Sequence, residues 1–300
     1  IGLPTSFLLD EQGRVLKIYK GVTPAATILS DLTAKTHPAF PFPGRWLGTK
    51  PSRNYVEMAT ALAEYGLPKE SARYFELAFA RGAGSIEAAN NYAAVLLETG
   101  NLTRADQLLR QTIAQAPQQT DALANLGTLR LKQAQPQAAA EAFRKVLALL
   151  PDDAFSLNGL GSALFASGDL AGARPQFEKA VAIDPENDDY RFNLASLLAS
   201  SGEFAAALRE FERIRPNRPD SPQLASNLGI LYVETGETAK GEAEFQRAIE
   251  LAPKDAGGYL NLAMLFARTD RPAEARRVLQ QLLTIHPKHP QALQMLETLR

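Results

Sequence analysis

The chain has 300 residues, of which 45% are hydrophobic, and a formal net charge of −1. Such a chain can bury a sizeable core, and its near-neutral charge gives no reason to expect a nucleic acid or an anionic membrane surface as a partner. It contains no cysteine, which excludes disulfides, thiolate metal sites and cysteine nucleophiles within these residues.

The chain begins with Ile1 rather than methionine, so we expect residues upstream of it. No signal peptide is visible and no apolar run reaches transmembrane length, so we expect no membrane insertion. The compartment is left open between the cytoplasm and the periplasm, because a cysteine-free protein fits both.

Residues 1–35 have the pattern of a β-hairpin followed by a helix. Residues 5–9 are composed like a buried strand, residues 10–13 like a turn, and residues 14–20 alternate like a second strand. Thr23 and Pro24 suit the N-cap and the first position of a helix that ends near Leu32. This segment is too small to be stable alone, so it is either the end of a larger domain or a segment that docks on the rest of the chain.

The same segment, with a proline before the first strand and glycines at 13 and 21, resembles the last third of a thioredoxin-like (redoxin) domain. In that family the proline is cis and faces the redox centre, so the resemblance implies this place for Pro4; an ordinary trans proline is the alternative. The Cys-x-x-Cys segment of the family would lie upstream.

Residues 36–51 contain four prolines, with Phe40, Phe42 and Trp46 between them. The prolines exclude a helix and favour an extended, semi-rigid linker. We expect its aromatic side chains to pack on the next helices as an N-terminal cap; the alternative is a proline-rich ligand for another domain.

From residue 52 to residue 289, seven segments of 34 residues follow one another without insertion or deletion. Apolar residues at positions 4, 7 and 11, and again at 20, 24 and 27, have the spacing of two amphipathic helices. Small residues at positions 8 and 20 let the helix backbones approach, and a large residue at position 24 fills the space beside them. Position 15 supplies the positive φ that ends the first helix: Gly66, Gly100, Gly168, Gly202 and Gly236, with Ala134 and Asp270 as departures. Proline at position 32 ends the second helix in six repeats.

These residues resemble the tetratricopeptide repeat, and the resemblance covers residues 52–289. It implies an all-α fold, a right-handed α-solenoid of seven helix hairpins. Residues 290–300 form one more helix with a polar outer face, which is typical of the capping helix of a solenoid. The layout as a whole also resembles bacterial chains in which a redoxin-type domain is followed by tetratricopeptide repeats.

No catalytic constellation can be assembled from the sequence. His37, His286 and His289 are the three histidines, and a site built from the last two would lack nearby carboxylates. We therefore predict no enzyme activity, no metal and no cofactor.

The first helices of such a stack line its concave surface. Position 6 of these helices holds asparagine in five repeats. This row resembles the asparagine ladder that holds peptide backbone in the O-linked N-acetylglucosamine transferase family. An amide offers both a donor and an acceptor to an extended peptide. The predicted peptide-binding residues are Asn91, Asn125, Asn158, Asn193, Asn227, Asn261, Thr128, Ser162, Ser196 and Phe192. Two alternatives stay open: the asparagines bond locally between adjacent repeats, and phenylalanines such as Phe192 belong to the core.

The sequence thus favours a non-catalytic interaction scaffold, a monomer that receives an extended peptide or a partner segment in its groove. A second hypothesis is the C-terminal part of a thioredoxin-like redox protein, whose repeats position the redox domain on its client. Self-association through an uncapped end is a third.

Overall fold

The structure is a computed structural model that describes the backbone of residues 5–9 and 15–20 and all of residues 54–299. It divides into two compact units, residues 1–100 and residues 101–300. The predicted helix after Thr23, the aromatic linker of residues 36–51 and the peptide bond before Pro4 lie outside the described residues.

The first unit begins with strands β1 (Thr5–Leu9) and β2 (Val15–Lys20), which pair antiparallel. Thr5 lies opposite Lys20, and the register shifts between Leu8 and Leu9. This strand pair is what the structure describes before residue 54, and the thioredoxin-like remnant stays a prediction. The unit continues with three helices, α1 (Tyr55–Glu64), α2 (Pro68–Phe79) and α3 (Ile86–Thr99).

The second unit is built of helices. They are α4 (Leu102–Gln115), α5 (Thr120–Lys132), α6 (Pro136–Leu149), α7 (Ala154–Ala166), α8 (Leu170–Ile183), α9 (Asp188–Ser200), α10 (Phe204–Ile214), α11 (Pro222–Glu234), α12 (Thr238–Leu251), α13 (Ala256–Arg268), α14 (Pro272–Ile285) and α15 (Pro290–Thr298). Each of repeats 3 to 7 forms one helix hairpin here, from α5 with α6 to α13 with α14, and each second helix also packs on the first helix of the next repeat. The final helix, α15, packs on α14.

Helix boundaries follow the 34-residue period. Position 34 is the N-cap of the next first helix, and its side chain accepts a hydrogen bond from the backbone in every case: Ser85, Gln119, Asp153, Asn187, Ser221, Asp255 and His289. The five glycines predicted to have positive φ at position 15 all do, and Ala134 (φ 55°) and Asp270 (φ 56°) adopt the same conformation without being glycine. The turn geometry therefore belongs to the repeat and not to the glycine.

The core is formed by the positions that the sequence pattern singles out. Every residue at positions 8, 20 and 24 between residues 54 and 299 is buried. In the second unit, Phe143, Phe177, Phe211 and Phe245 fill position 24 and lie at most 3% exposed. A Cβ atom at Gly161 would lie 2.7 Å from the Phe177 ring, so this small residue is what admits the aromatic ring.

Polar contacts join successive hairpins at their edges. The carbonyl oxygen of Pro151 accepts a hydrogen bond from Lys179 Nζ at 2.9 Å, and that of Pro219 accepts one from Arg247 at 2.6 Å. Ion pairs between Arg174 and Glu203 and between Arg271 and Glu242 also bridge adjacent repeats. In the described part of the chain, no helix is both long and apolar enough to span a bilayer.

Candidate functional site

Nine of the ten predicted site residues lie in the second unit, on the first helices of repeats 3 to 7. These helices are α5, α7, α9, α11 and α13. Contacts join α5 to α7, α7 to α9 and α11 to α13. We call the surface formed by their residues at positions 5, 6, 9 and 13 the first-helix face. The predicted residue Asn91 lies half-buried on α3 of the first unit.

The asparagine row is interrupted in repeat 4, and the structure gives the reason. A Cβ atom at Gly159, which holds position 6, would lie 2.4 Å from the buried Phe143 ring. No side chain fits there, and the amide is supplied by the preceding residue instead. Asn193 Nδ2 donates a hydrogen bond to Asn158 Oδ1 at 2.8 Å, across the boundary between repeats 4 and 5. These two amides therefore bond to each other.

The next two asparagines of the row differ. Asn227 on α11 and Asn261 on α13 are half-buried, and within residues 54–299 their side-chain amides have no hydrogen bond. Asn125 on α5 is half-buried and already engaged in an interaction within the protein. The row thus contains a closed pair in repeats 4 and 5 and an open pair in repeats 6 and 7.

The predicted hydroxyl groups at position 9 donate hydrogen bonds to backbone carbonyl groups of their own helices. Thr128, Ser162 and Ser196 donate to the carbonyl oxygens four residues before them at 3.2, 2.9 and 2.8 Å. Their oxygen lone pairs are left to accept hydrogen bonds, so this part of the face can accept from a ligand more readily than it can donate.

Phe192 is oriented toward the core. Its ring lies edge-on to the buried Phe211 with a centroid distance of 5.1 Å, and it packs against the hydrophobic cluster of repeats 4 to 6. Phe155 has 48% of its surface exposed and lies 6.4 Å from the Phe143 ring, edge-on. Of these two phenylalanines, Phe155 is exposed and Phe192 is half-buried.

A cavity of about 210 Å³ opens between α11 and α13, and we call it the apolar pit. Its lining is mostly apolar, from Ile230, Val233, Phe245, Met264 and Leu265, and three polar residues also line it, Glu234, Asn261 and Arg268. Ile230 and Met264 hold position 9 and are 43% and 44% exposed. The sequence contains the signal for this site, because position 9 changes from hydroxyl residues in repeats 3 to 5 to large apolar residues in repeats 6 and 7.

Charges near the pit are paired. Glu234 and Arg268, at position 13 of neighbouring repeats, form an ion pair of 2.9 Å on its rim. Near the C-terminal end of α11, the Tyr232 hydroxyl donates a hydrogen bond to the Glu212 carboxylate. The same carboxylate also forms an ion pair with Arg215. Burial of the phenol, together with this hydrogen bond to a carboxylate, raises the pKa of Tyr232 to about 12. This contact joins α11, the helix that carries Asn227 and Ile230, to α10.

His286 and His289, which lie between α14 and α15, each contact the backbone of the protein. His286 Nε2 lies 2.7 Å from the carbonyl oxygen of Lys254, and His289 Nδ1 accepts the backbone N–H of Ala292 at 3.4 Å as the cap of α15. Within the described residues, no group of three or more histidine or acidic side chains is placed to hold a metal ion.

Solved structures resemble the chain at low sequence identity. PilF of Pseudomonas aeruginosa is 21% identical with a TM-score of 0.61, over 72% of this chain and 97% of PilF. A chain of the APC/C hetero-tetramer Cut9–Hcn1 is 15% identical with a TM-score of 0.71, over 82% of this chain and 48% of that chain. YrrB is 20% identical with a TM-score of 0.51, over 62% of this chain and 96% of YrrB. At these identities the likeness shows the fold alone.

No curated protein sequence matches the chain. Two family models described as tetratricopeptide repeat do match it, one over residues 164–229 and the other over residues 124–188 and 226–290. Together they span residues 124–290, which is more than half of the 300 residues. The chain belongs to the tetratricopeptide repeat family.

Proposed function

We propose that this protein is a non-catalytic interaction scaffold and that its first-helix face binds an extended peptide segment of a partner protein. The observation that carries the proposal is the open pair, Asn227 and Asn261, two amides at equivalent positions of successive hairpins. Each amide offers a donor and an acceptor, which is the pairing that the N–H and C=O groups of an extended backbone require.

Three further features support the proposal. Asn227 and Asn261 are half-buried, so the water that meets their amides can be exchanged for the backbone groups of a ligand. Thr128, Ser162 and Ser196 add acceptors along the same face. YrrB, which has the same fold, is described as a tetratricopeptide repeat protein with an unusual peptide-binding site.

The test begins with a displayed library of random peptides selected on the purified protein. A selected peptide is then titrated into the wild type and into the double variant Asn227→Ala/Asn261→Ala. Each lost hydrogen bond is worth about 1 kcal/mol, so the double variant should bind at least about tenfold more weakly.

The control removes two amides elsewhere. Gln246 and Gln280 are exposed on the second helices α12 and α14. The double variant Gln246→Ala/Gln280→Ala should bind like the wild type. Equal affinities for all three proteins, with unchanged melting temperatures, would refute the asparagine row as a binding element.

The redox alternative, in which the repeats position a thioredoxin-like domain on its client, stays a prediction from residues 1–35. The family matches lie within residues 124–290 and do not reach this segment. The antiparallel pairing of β1 with β2 is compatible with it. Reading the gene upstream decides it, because a Cys-x-x-Cys segment ahead of this strand pair is required.

A further inference from the structure

We infer that the apolar pit between α11 and α13 is a subsite for one large, uncharged, apolar side chain of the bound peptide, with the backbone on either side of that residue held by Asn227 and Asn261. The inference rests on the proposed function and adds the chemistry of the ligand. It concerns residues that were not predicted as site residues from the sequence, apart from the two asparagines.

The composition and size of the pit specify the side chain. The lining is mostly apolar, and Ile230 and Met264 leave more than two fifths of their surface in water. Covering such surface with an apolar group is favourable in proportion to the area removed from water. A cavity of about 210 Å³ has room for a side chain of the size of leucine, methionine or phenylalanine, and a methyl group would leave most of it empty.

The charges on the rim specify that the side chain is neutral. Glu234 and Arg268 already neutralise each other at 2.9 Å. A lysine or a glutamate of the ligand would have to lose part of its hydration beside apolar side chains, and the charged groups at the rim already have partners. The complementary occupant is uncharged at the pit.

The spacing of the helices specifies where the apolar residue lies in the peptide. Packed helix axes are about 8–10 Å apart, and an extended chain advances about 3.3 Å per residue. Two amides on the contacting helices α11 and α13 therefore match backbone groups about three residues apart. The side chain that enters the pit belongs to a residue between these two contacts.

The test uses blocked pentapeptides of the form acetyl-Gly-Gly-X-Gly-Gly-amide, where X is Leu, Phe, Met, Ala, Glu or Lys. The protein is labelled at the methionine methyl groups, and its three methionines give three signals. Met264 lies in the pit, while Met58 in α1 and Met295 in α15 serve as internal references. The Leu, Phe and Met peptides should shift the Met264 signal, and the Ala, Glu and Lys peptides should bind at least about tenfold more weakly.

Two variants separate the pit from a general apolar effect. Ile230→Asp places a charge in the pit at a residue that is 43% exposed, so the fold should be retained. Leu149→Asp places the same charge at a residue that is 42% exposed and lies outside the pit. The first variant should abolish the Met264 shift, and the second should leave it unchanged.

Different outcomes overturn different statements. If Glu or Lys peptides bind as well as the Leu peptide, or if no peptide shifts Met264, the pit is not a subsite for an apolar residue. If the library-selected peptide depends on Asn227 and Asn261 but not on Ile230, the peptide-binding face stands without the pit. If binding of the selected peptide depends on none of Asn227, Asn261 and Ile230, both the subsite and the proposed function are refuted.

Discussion

Repeats 3 to 5 and repeats 6 and 7 share one scaffold but present different surfaces. On α5, α7 and α9, position 9 carries hydroxyls that bond to their own helices, and Asn158 and Asn193 bond to each other. On α11 and α13, position 9 carries the exposed Ile230 and Met264 beside the open pair. The polar part uses its hydroxyl protons and one hydrogen bond between amides within the protein, whereas the apolar part has left both amides and apolar surface available.

The difference shows how a repeat separates stability from recognition. Positions 8, 20 and 24 are buried in every repeat and hold the helices together. Positions 9 and 13 are half-buried or exposed in repeats 3 to 7, so their residue types can vary while the helices stay in place. A ligand site can therefore be confined to two repeats of an otherwise regular array.

The largest expected effect tests whether the core of repeats 3 to 5 and the core of repeats 6 and 7 contribute equally to stability. Phe143 lies beneath the polar part and Phe245 beneath the apolar part, and both are buried. Replacing either by alanine should cost about 3–5 kcal/mol in the free energy of unfolding, because each leaves a cavity of similar size. Urea denaturation of Phe143→Ala and Phe245→Ala measures this. A cost below about 1 kcal/mol for one of them would show that the two cores are not equivalent.

The next effect concerns the interruption of the row at Gly159. A methyl group there would meet the Phe143 ring at 2.4 Å, so Gly159→Ala should destabilise the protein by about 1–3 kcal/mol. The control is Gly257→Ala in the first turn of α13, where the nearest atom would be 3.6 Å away. That change should stabilise the helix by about 0.5–1 kcal/mol. If both variants gain stability in thermal melting, the steric account of the interruption is wrong.

Left-handed turns occur in both parts and allow a smaller test. Ala134 and Asp270 have φ values of 55° and 56°, a conformation that costs a non-glycine residue about 1–2 kcal/mol. Ala134→Gly and Asp270→Gly should therefore each raise the free energy of unfolding by about 1 kcal/mol. Conversely, Gly168→Ala should lower it by a similar amount, since Gly168 has a φ of 85°. A loss of stability in either glycine variant would contradict this account of the turns.

A further effect lies at alkaline pH and concerns the contact between α11 and Glu212. Burial and the hydrogen bond to Glu212 raise the pKa of Tyr232 to about 12, whereas an unfolded tyrosine ionises near pH 10. The stabilisation is therefore complete below about pH 10 and is lost as the pH rises from about 10 to about 12. Tyr232→Phe should show a shallower loss of stability in this range. Identical pH profiles for the two proteins would remove Tyr232 from the account.

Much of the fold could be predicted from the sequence, because it depends on residue type at fixed spacing. Position 24 had to be large where positions 8 and 20 are small, and the glycines at position 15 had to end the first helices. Ala134 and Asp270 show the limit of this reasoning, since neighbouring contacts hold them in a conformation that their own preferences oppose.

The site was less predictable, because hydrogen-bond partners across repeats cannot be inferred from spacing. The row of asparagines was visible in the sequence, but the hydrogen bond between Asn158 and Asn193 and the contact of Gly159 with Phe143 were not. Phe192 was considered as a ligand contact or a core residue, and it packs against Phe211. The change to apolar residues at position 9 was visible in the sequence, but the pit was not, because it depends on how Val233, Phe245 and Leu265 pack around Ile230 and Met264.

The most direct measurement compares the two pairs of amides. A library-selected peptide is titrated calorimetrically into Asn227→Ala/Asn261→Ala and into Asn158→Ala/Asn193→Ala. The account predicts a loss of at least about tenfold in affinity for the first variant and of less than about threefold for the second, because the second pair is already bonded within the protein. Equal losses, or a larger loss in the second variant, would contradict the claim that the open pair is the peptide-binding element.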